Sequence, residues 1–230
     1  MSQQIIALGG GGFSMEPENP LLDKYVLEAS EVSRPRITLL PTASGDADRL
    51  IAQFYTAFNC HACRPRHLSL FRQSPDMEAQ LFDSDVIYVS GGNTRNMLAI
   101  WDAAGVTPML KRAWENGVVL CGVSAGAICW FEQGHTDSRG DLSTLDCLGW
   151  LEGSCSPHYD GETHRRPSYE NLLLTGDIKP GIALDDGVAA HFEGTTRTRL
   201  VSSRPPAQAF ALAAENGALQ QNQLDVDYLG

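Results

Sequence analysis

Basic residues are scarce in this sequence. Seventeen lysines and arginines stand against 28 aspartates and glutamates, which gives a formal net charge of -11 and a pI near 4.9. The basic residues are scattered along the chain rather than clustered. A surface of this charge repels nucleic acids and anionic membranes. We therefore expect no nucleic-acid partner and no membrane partner.

Long apolar runs are also missing. No run approaches the ~18 residues of a membrane span, and the first residues, Met1-Ser2-Gln3-Gln4, lack the basic start of a signal peptide. We therefore expect a cytoplasmic protein. With 230 residues, 43% of them hydrophobic, the chain is predicted to form one globular domain over residues 1–230. A chain of this size is compatible with a homodimer, although no motif supports one.

Two cofactor motifs are incomplete. Cys60-His61-Ala62-Cys63 has no second C-x-x-C to complete a zinc site, so we interpret it as a helix end followed by a loop. The glycine run 9–12 follows a short apolar strand but lacks both G-x-G-x-x-G and Gly-Lys-Ser/Thr. We interpret it as a loop at the carboxyl end of a parallel strand, near an active-site crevice. No metal and no cofactor are predicted.

Apolar segments of strand length alternate with amphipathic segments over the first 130 residues. Strands are predicted at 5–8, 36–43, 67–70, 85–90 and 117–123, and helices at 20–30, 47–59, 77–82, 97–101 and 107–115. This alternation predicts an α/β fold with a mostly parallel central sheet and helices on both faces. Further on we expect a surface loop at 132–140, a hairpin at 181–194, an edge strand at 208–212 and a frayed C-terminal tail.

The segment 117–130 predicts a strand, a sharp turn and a helix, with Ser124 at the turn. Gly122 and Gly126 lie two residues on either side, where a side chain would collide as the strand folds back into the helix. The free backbone N–H of Ala125, at the helix start, would stabilise an oxyanion formed when Ser124 attacks a carbonyl. This pattern is typical of a nucleophile elbow.

A similar turn, Gly91-Gly92-Asn93-Thr94, follows the strand predicted at 85–90. Right-handed crossovers bring the loops after parallel strands to one edge of the sheet, so this turn should lie near Ser124. The amide of Gly91 or of Gly92 is then a candidate second oxyanion donor.

A serine hydroxyl needs a base, and a histidine base needs an acid that orients it. His158, which follows Pro157 in a polar loop, is the preferred base, and His135 and His164 are alternatives. If the acid lies between the serine and the histidine in sequence, the candidates are Asp137, Asp141 and Asp146. If the acid comes last, the candidates are Asp185 and Asp186, an adjacent pair at a strand end of which only one side chain can face the crevice.

Four ordered motifs together resemble the peptidase E (aspartyl dipeptidase) and cyanophycinase family of serine peptidases: 91–94, 122–127, 157–159 and 181–186. The resemblance extends from the first strand to about Gly194 and implies a class I glutamine-amidotransferase-like fold. It implies that Ser124 is the nucleophile, His158 the base, Asp186 the acid, and the amides of Gly92 and Ala125 the oxyanion hole. Asp137 and Asp185 remain alternative acids.

The same resemblance implies a small peptide substrate, and the best-known activity of the family is hydrolysis of dipeptides with an N-terminal aspartate. A cation would recognise the aspartate side chain, and Arg165 and Arg166 are the candidates. Gly91 and Asn93 are expected to line the substrate site. Two other functions stay open, an amidase or esterase acting on a non-peptide acyl group, and a non-catalytic binding protein on the same scaffold.

Overall fold

The computed structural model describes residues 2–72 and 76–230, and within them two β-sheets are flanked by helices. The larger sheet contains β1 (Gln4–Leu8), β2 (Arg36–Leu40), β3 (Arg64–His67), β4 (Val86–Val89), β5 (Val119–Val123), β10 (Val188–Glu193), β11 (Thr196–Ser202) and β14 (Asp227–Tyr228). The smaller sheet contains β6 (Phe131–Thr136), β7 (Ser143–Asp146), β8 (Leu151–Ser156), β9 (Gly181–Leu184), β12 (Ala209–Glu215) and β13 (Ala218–Leu224).

The helices are α1 (Leu21–Glu28), α2 (Asp48–Phe58), α3 (Met77–Phe82), α4 (Thr94–Ala103), α5 (Val106–Glu115), α6 (Ala125–Ile128) and α7 (Arg165–Thr175). Within the described ranges, no helix is both long and apolar enough to cross a membrane.

The larger sheet has the strand order β14-β11-β10-β1-β5-β4-β2-β3. The strands from β1 to β3 in this order are parallel, and β10 pairs antiparallel with β1. The sheet is buried on both faces. Side chains alternate along β1, so that Ile5 packs in the core that also contains Trp101 of α4, whereas Ile6 packs in the core that also contains Phe54 of α2. The prediction of a mostly parallel sheet with helices on both faces is therefore confirmed.

The smaller sheet has the order β13-β12-β9-β8-β6-β7. Apolar side chains on one of its faces, such as Ile182, join the core on the α4 side of the larger sheet, whereas those on the other face, such as Phe210, pack in a separate cluster with Tyr169 of α7. The smaller sheet changes several predictions. The loop predicted at 132–140 is mostly strand β6, whose polar residues His135 and Thr136 are buried and hydrogen-bonded internally. Both ring nitrogens of His135, for example, bond to serine hydroxyls.

The hairpin predicted at 181–194 is wrong, because β9 and β10 belong to different sheets and the chain crosses between them at residues 185–187. The hairpins of the C-terminal part are instead β10–β11 and β12–β13. The segment 208–212 is not an edge strand, since β12 pairs with β9 on one side and β13 on the other. The C-terminal tail, which was expected to be frayed, forms part of β13 and the short strand β14. The third strand lies at Arg64–His67 rather than at the predicted 67–70, and helix α7 was not predicted.

Candidate active site

Ser124 stands at the junction of β5 and α6 with φ 56° and ψ -112°, a backbone conformation that non-glycine residues rarely adopt. The glycines on either side explain the close approach. A Cβ on Gly122 would lie 2.5 Å from the carbonyl oxygen of Gly126, and a Cβ on Gly126 would overlap the carbonyl oxygen of Val89 in β4. The turn therefore places Ser124, half-buried, between buried neighbours.

The turn after β4 lies against Ser124. A Cβ on Gly91 would be 3.4 Å from the Cβ of Ser124, and Gly92 has φ 137° and faces the carbonyl of Ala43, where any side chain would overlap. Asn93 caps α4 by accepting a hydrogen bond from the Asn96 amide at 2.9 Å. The side-chain oxygen of Asn93 is therefore used by this cap, and its predicted place in the substrate site stays a prediction.

The loop after β1 holds the chain segments of Ser124 and His158 together. The Ser124 amide donates to the carbonyl of Leu8 at 3.1 Å, and the His158 amide donates to the carbonyl of Gly9 at 3.0 Å. Leu8 ends β1 and Gly9 begins the glycine loop, and consecutive Cα atoms are about 3.8 Å apart. Both segments are therefore anchored at the junction of β1 and the glycine loop. His158 also has a positive φ, of 52°.

His158 and Asp186 are in direct contact. Nδ1 of His158 lies 2.6 Å from Oδ1 of Asp186, and the two side chains are 11% and 20% exposed. An ionised carboxylate only accepts hydrogen bonds, so the proton of the neutral ring is held on Nδ1 and Nε2 carries a free lone pair. This arrangement suits a base that removes a proton from a hydroxyl group.

The other candidate acids lie apart from His158. Asp185 accepts a hydrogen bond from the Gln208 amide at 2.8 Å, and burial raises its pKa from 3.8 to about 6 despite that bond. Asp137 is exposed at the end of β6, Asp141 is exposed in the following turn, and Asp146 accepts from the Gln133 side chain. Among the five candidates, Asp186 is the one that contacts His158.

The alternative bases have other surroundings. His135 is fully buried, with Nδ1 2.9 Å from Ser156 Oγ and Nε2 3.0 Å from Ser168 Oγ, and burial, helped by nearby Arg165, lowers its pKa from 6.5 to about 3. It is a neutral ring inside the smaller sheet. His164 is exposed immediately before α7.

The two candidate arginines differ sharply. The Arg165 side chain is 4% exposed and bonds to Glu162 and to the carbonyl of His135, so its guanidinium holds the loop before α7 in place. The Arg166 side chain is 48% exposed, pairs with Glu170 at 3.1 Å and lies over the ring of Tyr159. It lines a pocket of about 270 Å³.

Sequence reasoning did not identify the groups that enclose Asp186. A Cβ on Gly10 would overlap Asp186 Oδ1 and lie 3.0 Å from His158 Nδ1, and a Cβ on Gly161 would overlap Asp186 Oδ2. Asp160 and Arg204 bond to the backbone of Asp186. The glycine run was a usable signal for close packing, whereas Arg204 lies 44 residues from Asp160 with no local pattern to connect them.

The C-x-x-C cysteines are free thiols. The Cys60 thiol donates to the carbonyl of Thr56 at 3.4 Å, and the Cys63 thiol donates to the carbonyl of Phe58 at 3.1 Å, both at the end of α2. Residues 2–72 and 76–230 contain no group of three or more His, Cys, Asp or Glu side chains that could hold a metal ion.

Peptidases are among the proteins that this chain is similar to. The sequence model described as Peptidase family S51 matches residues 5–200. The chain is 51% identical over 229 residues to the "Uncharacterized peptidase YgaJ" of Bacillus subtilis (strain 168), covering 99% of this chain and 100% of that protein. It is 25% identical over 169 residues to "Peptidase E" of Streptomyces coelicolor, covering 69% and 68% of the two chains.

Two solved structures share the fold. A crystal structure of a peptidase from an acI-B1 Actinobacterium superposes with a TM-score of 0.78 at 19% identity, covering 98% of this chain and 95% of that one. A putative peptidase E protein from Listeria monocytogenes EGD-e superposes with a TM-score of 0.63 at 16% identity, covering 98% and 100%. The match to the family over most of the chain, together with the YgaJ relative, shows that this protein belongs to peptidase family S51, the peptidase E family.

Proposed function

We propose that the protein is a serine peptidase that hydrolyses dipeptides through an acyl-enzyme on Ser124. The observation that carries the proposal is the 2.6 Å contact between His158 Nδ1 and Asp186 Oδ1, on a loop anchored beside the elbow that bears Ser124. Membership of a peptidase family makes the protein a hydrolase. Our proposal goes beyond family membership in assigning the nucleophile, the base and the kind of peptide that is cleaved.

In the acylation step, Ser124 Oγ attacks the carbonyl carbon of the peptide bond while His158 Nε2 takes the hydroxyl proton. The carbonyl π electrons move to the oxygen, which becomes an oxyanion. The amide of Ala125, first in α6 and therefore without an intrahelical partner, and the amide of Gly92 would donate to this oxyanion. His158 then protonates the leaving amine, the C–N bond breaks, and the C-terminal amino acid departs.

In the deacylation step, a water molecule loses a proton to His158 and attacks the ester carbon. The C–O bond to Ser124 breaks, the proton returns to Oγ, and the N-terminal amino acid is released. Asp186 holds the ring of His158 in one tautomer and stabilises the imidazolium in both steps. Over the two steps one water molecule is consumed for each peptide bond broken, which balances the atoms.

We propose dipeptides with an N-terminal aspartate as the preferred substrates, with Arg166 as the cation that recognises the aspartate side chain. Arg166 supports this role because its guanidinium is half exposed, whereas that of Arg165 is buried and already bonded. A planar guanidinium binds a carboxylate through two parallel hydrogen bonds. A carboxylate substrate would compete with Glu170 for these donors.

The test measures release of free amino acids from Asp-X, Asn-X, Gly-X and Ala-X dipeptides. We expect wild type to cleave Asp-X and Ser124→Ala to be inactive, while Ser33→Ala, at an exposed loop serine, keeps full activity. Hydrolysis by Ser124→Ala at the wild-type rate would contradict the acyl-enzyme. Matched ester substrates and labelling of Ser124 by a fluorophosphonate separate the peptidase from an esterase and from a non-catalytic protein.

A second comparison addresses the arginine. Arg166→Gln should raise the KM for Asp-X and leave the KM for Ala-X unchanged, because only the first substrate offers a carboxylate to the guanidinium. Arg199→Gln, at an exposed arginine of β11, is the matched control. An equal rise for both substrates would show that Arg166 does not read the side chain.

A further inference from the structure

The Asp186 backbone is held on both sides by the side chains of Asp160 and Arg204. Its amide donates to Oδ1 of Asp160 at 2.8 Å, and its carbonyl accepts from Nε of Arg204 at 2.9 Å. Asp186 itself lies between β9 and β10, in the short connection that crosses from one sheet to the other. A residue in such a connection has no ladder hydrogen bonds, so these two contacts supply its backbone partners.

Asp160 and Arg204 also bond to each other. One terminal nitrogen of Arg204 lies 2.6 Å from Oδ2 of Asp160. The carboxylate of Asp160 thus bridges the Asp186 amide and the guanidinium, and the guanidinium bridges the Asp160 carboxylate and the Asp186 carbonyl. The three contacts close a ring around the backbone of one residue, Asp186. Only a planar fork with separate Nε and terminal donors fits both acceptors at once.

The ring is joined to the glycine loop from the other side. Nε of Arg204 lies 3.7 Å from Oε1 of Glu16, and Oε2 of Glu16 accepts from the hydroxyl of Ser203 at 2.8 Å. The Glu16 amide in turn donates to the carbonyl of Gly12 at 2.8 Å. The loop that anchors His158 and the connection that bears Asp186 are therefore tied to the same guanidinium.

We propose that Arg204 and Asp160 are positioning residues that clamp Asp186 against His158. The inference rests on the proposed function, since it assigns the clamp to the same catalytic pair. Arg204 and Asp160 act on the Asp186 backbone and set the direction of its carboxylate. Arg204 also lines the pocket of about 270 Å³ that contains Arg166. Arg204 could therefore bind substrate directly instead of positioning Asp186, and kinetic measurements must distinguish these two roles.

Kinetic constants distinguish the two roles. A displaced carboxylate affects the transition state, so Arg204→Gln should lower kcat by about 100-fold and change KM by less than about twofold. Arg204→Lys restores the charge without the fork and should recover little of the loss. Asp160→Asn should lower kcat similarly, and the double variant should lose no more than either single one, because both remove the same ring. Arg199→Gln should match wild type.

A spectroscopic measurement tests the clamp independently of turnover. The hydrogen-bonded Nδ1–H of His158 should give a downfield proton NMR signal, assigned by its loss in Asp186→Asn. We expect Arg204→Gln to weaken or remove this signal while its circular dichroism spectrum and melting curve remain those of a folded protein. If Arg204→Gln alters folding, Arg204→Lys serves for the same comparison.

The outcomes separate the two proposals. If wild type cleaves no peptide, the proposed function fails, and the NMR signal alone decides the clamp. If wild type cleaves peptides and Arg204→Gln raises KM at unchanged kcat, Arg204 binds substrate and the clamp is overturned. An unchanged Nδ1–H signal in both Arg204 variants also overturns it.

Discussion

Replacing Ser124 by glycine should stabilise the protein while abolishing its activity. At φ 56° and ψ -112°, a residue with a Cβ is strained by about 1–3 kcal/mol, and glycine adopts this conformation without that strain. Glycine costs about 0.5–1 kcal/mol in backbone entropy. The balance is a gain of roughly 0–2.5 kcal/mol in the free energy of unfolding, and a chain of this size gains about 2–4 °C in Tm per kcal/mol.

Thermal and urea denaturation of three variants measures this gain. Ser124→Ala removes the hydroxyl but keeps the Cβ, so it should be inactive without a rise in Tm. Ser33→Gly, at an exposed position with ordinary φ, should lose stability because it has the entropy cost without the relief of strain. Ser124→Gly should therefore be the most stable of the three.

Two results would refute this reasoning. If Ser124→Gly melts below wild type, the elbow holds no strain that glycine relieves. If Ser124→Ala gains as much stability as Ser124→Gly, the effect comes from the hydroxyl and not from the backbone.

Two further predictions concern carboxyl groups. Asp186→Asn should lower kcat by about 10⁴-fold, the order seen when the aspartate of such a triad is replaced, because an amide can hold His158 in the wrong tautomer. Initial rates measure this loss. A rate near that of wild type would exclude Asp186 as the acid. Asp23 is buried, and burial raises its pKa from 3.8 to about 7, although the Phe13 amide donates to it. The folded state therefore binds the carboxyl proton of Asp23 more tightly than the unfolded state does. As pH rises from about 4 to about 7, ionisation of Asp23 should lower the free energy of unfolding by up to about 1.4 kcal/mol per pH unit. Urea titrations at several pH values should show that the free energy of unfolding of Asp23→Asn rises relative to that of wild type over this range. If the free energies of the two proteins change with pH in parallel, the assignment to Asp23 is contradicted.

The first half of the fold was readable from sequence because its signals are local. The apolar strand that ends in Gly91-Gly92 and the strand that ends in Gly122 are each followed at once by a helix, and both turns were placed correctly at one edge of the sheet. Periodicity and turn glycines suffice for such units.

The second half depends on pairing between distant strands. β12 has the composition of a strand, but only its partners, β9 and β13, make it a central one. The polar segment 218–224 indicates no strand until the register against β12 is known. The same reason applies to the candidate site: the contact between His158 and Asp186 spans 28 residues, and no local pattern distinguishes Asp186 from its neighbour Asp185.

The anchoring of Ser124 and His158 on the end of β1 has a consequence for hydrogen exchange. β1 lies between β5 and β10, inside the larger sheet, and such strands open only when the whole fold does. The amide protons of Ser124 and His158, bonded to Leu8 and Gly9, should exchange with solvent as slowly as those of the central strands. Heat inactivation should then coincide with global unfolding, because the candidate catalytic groups have no separate, earlier transition of their own.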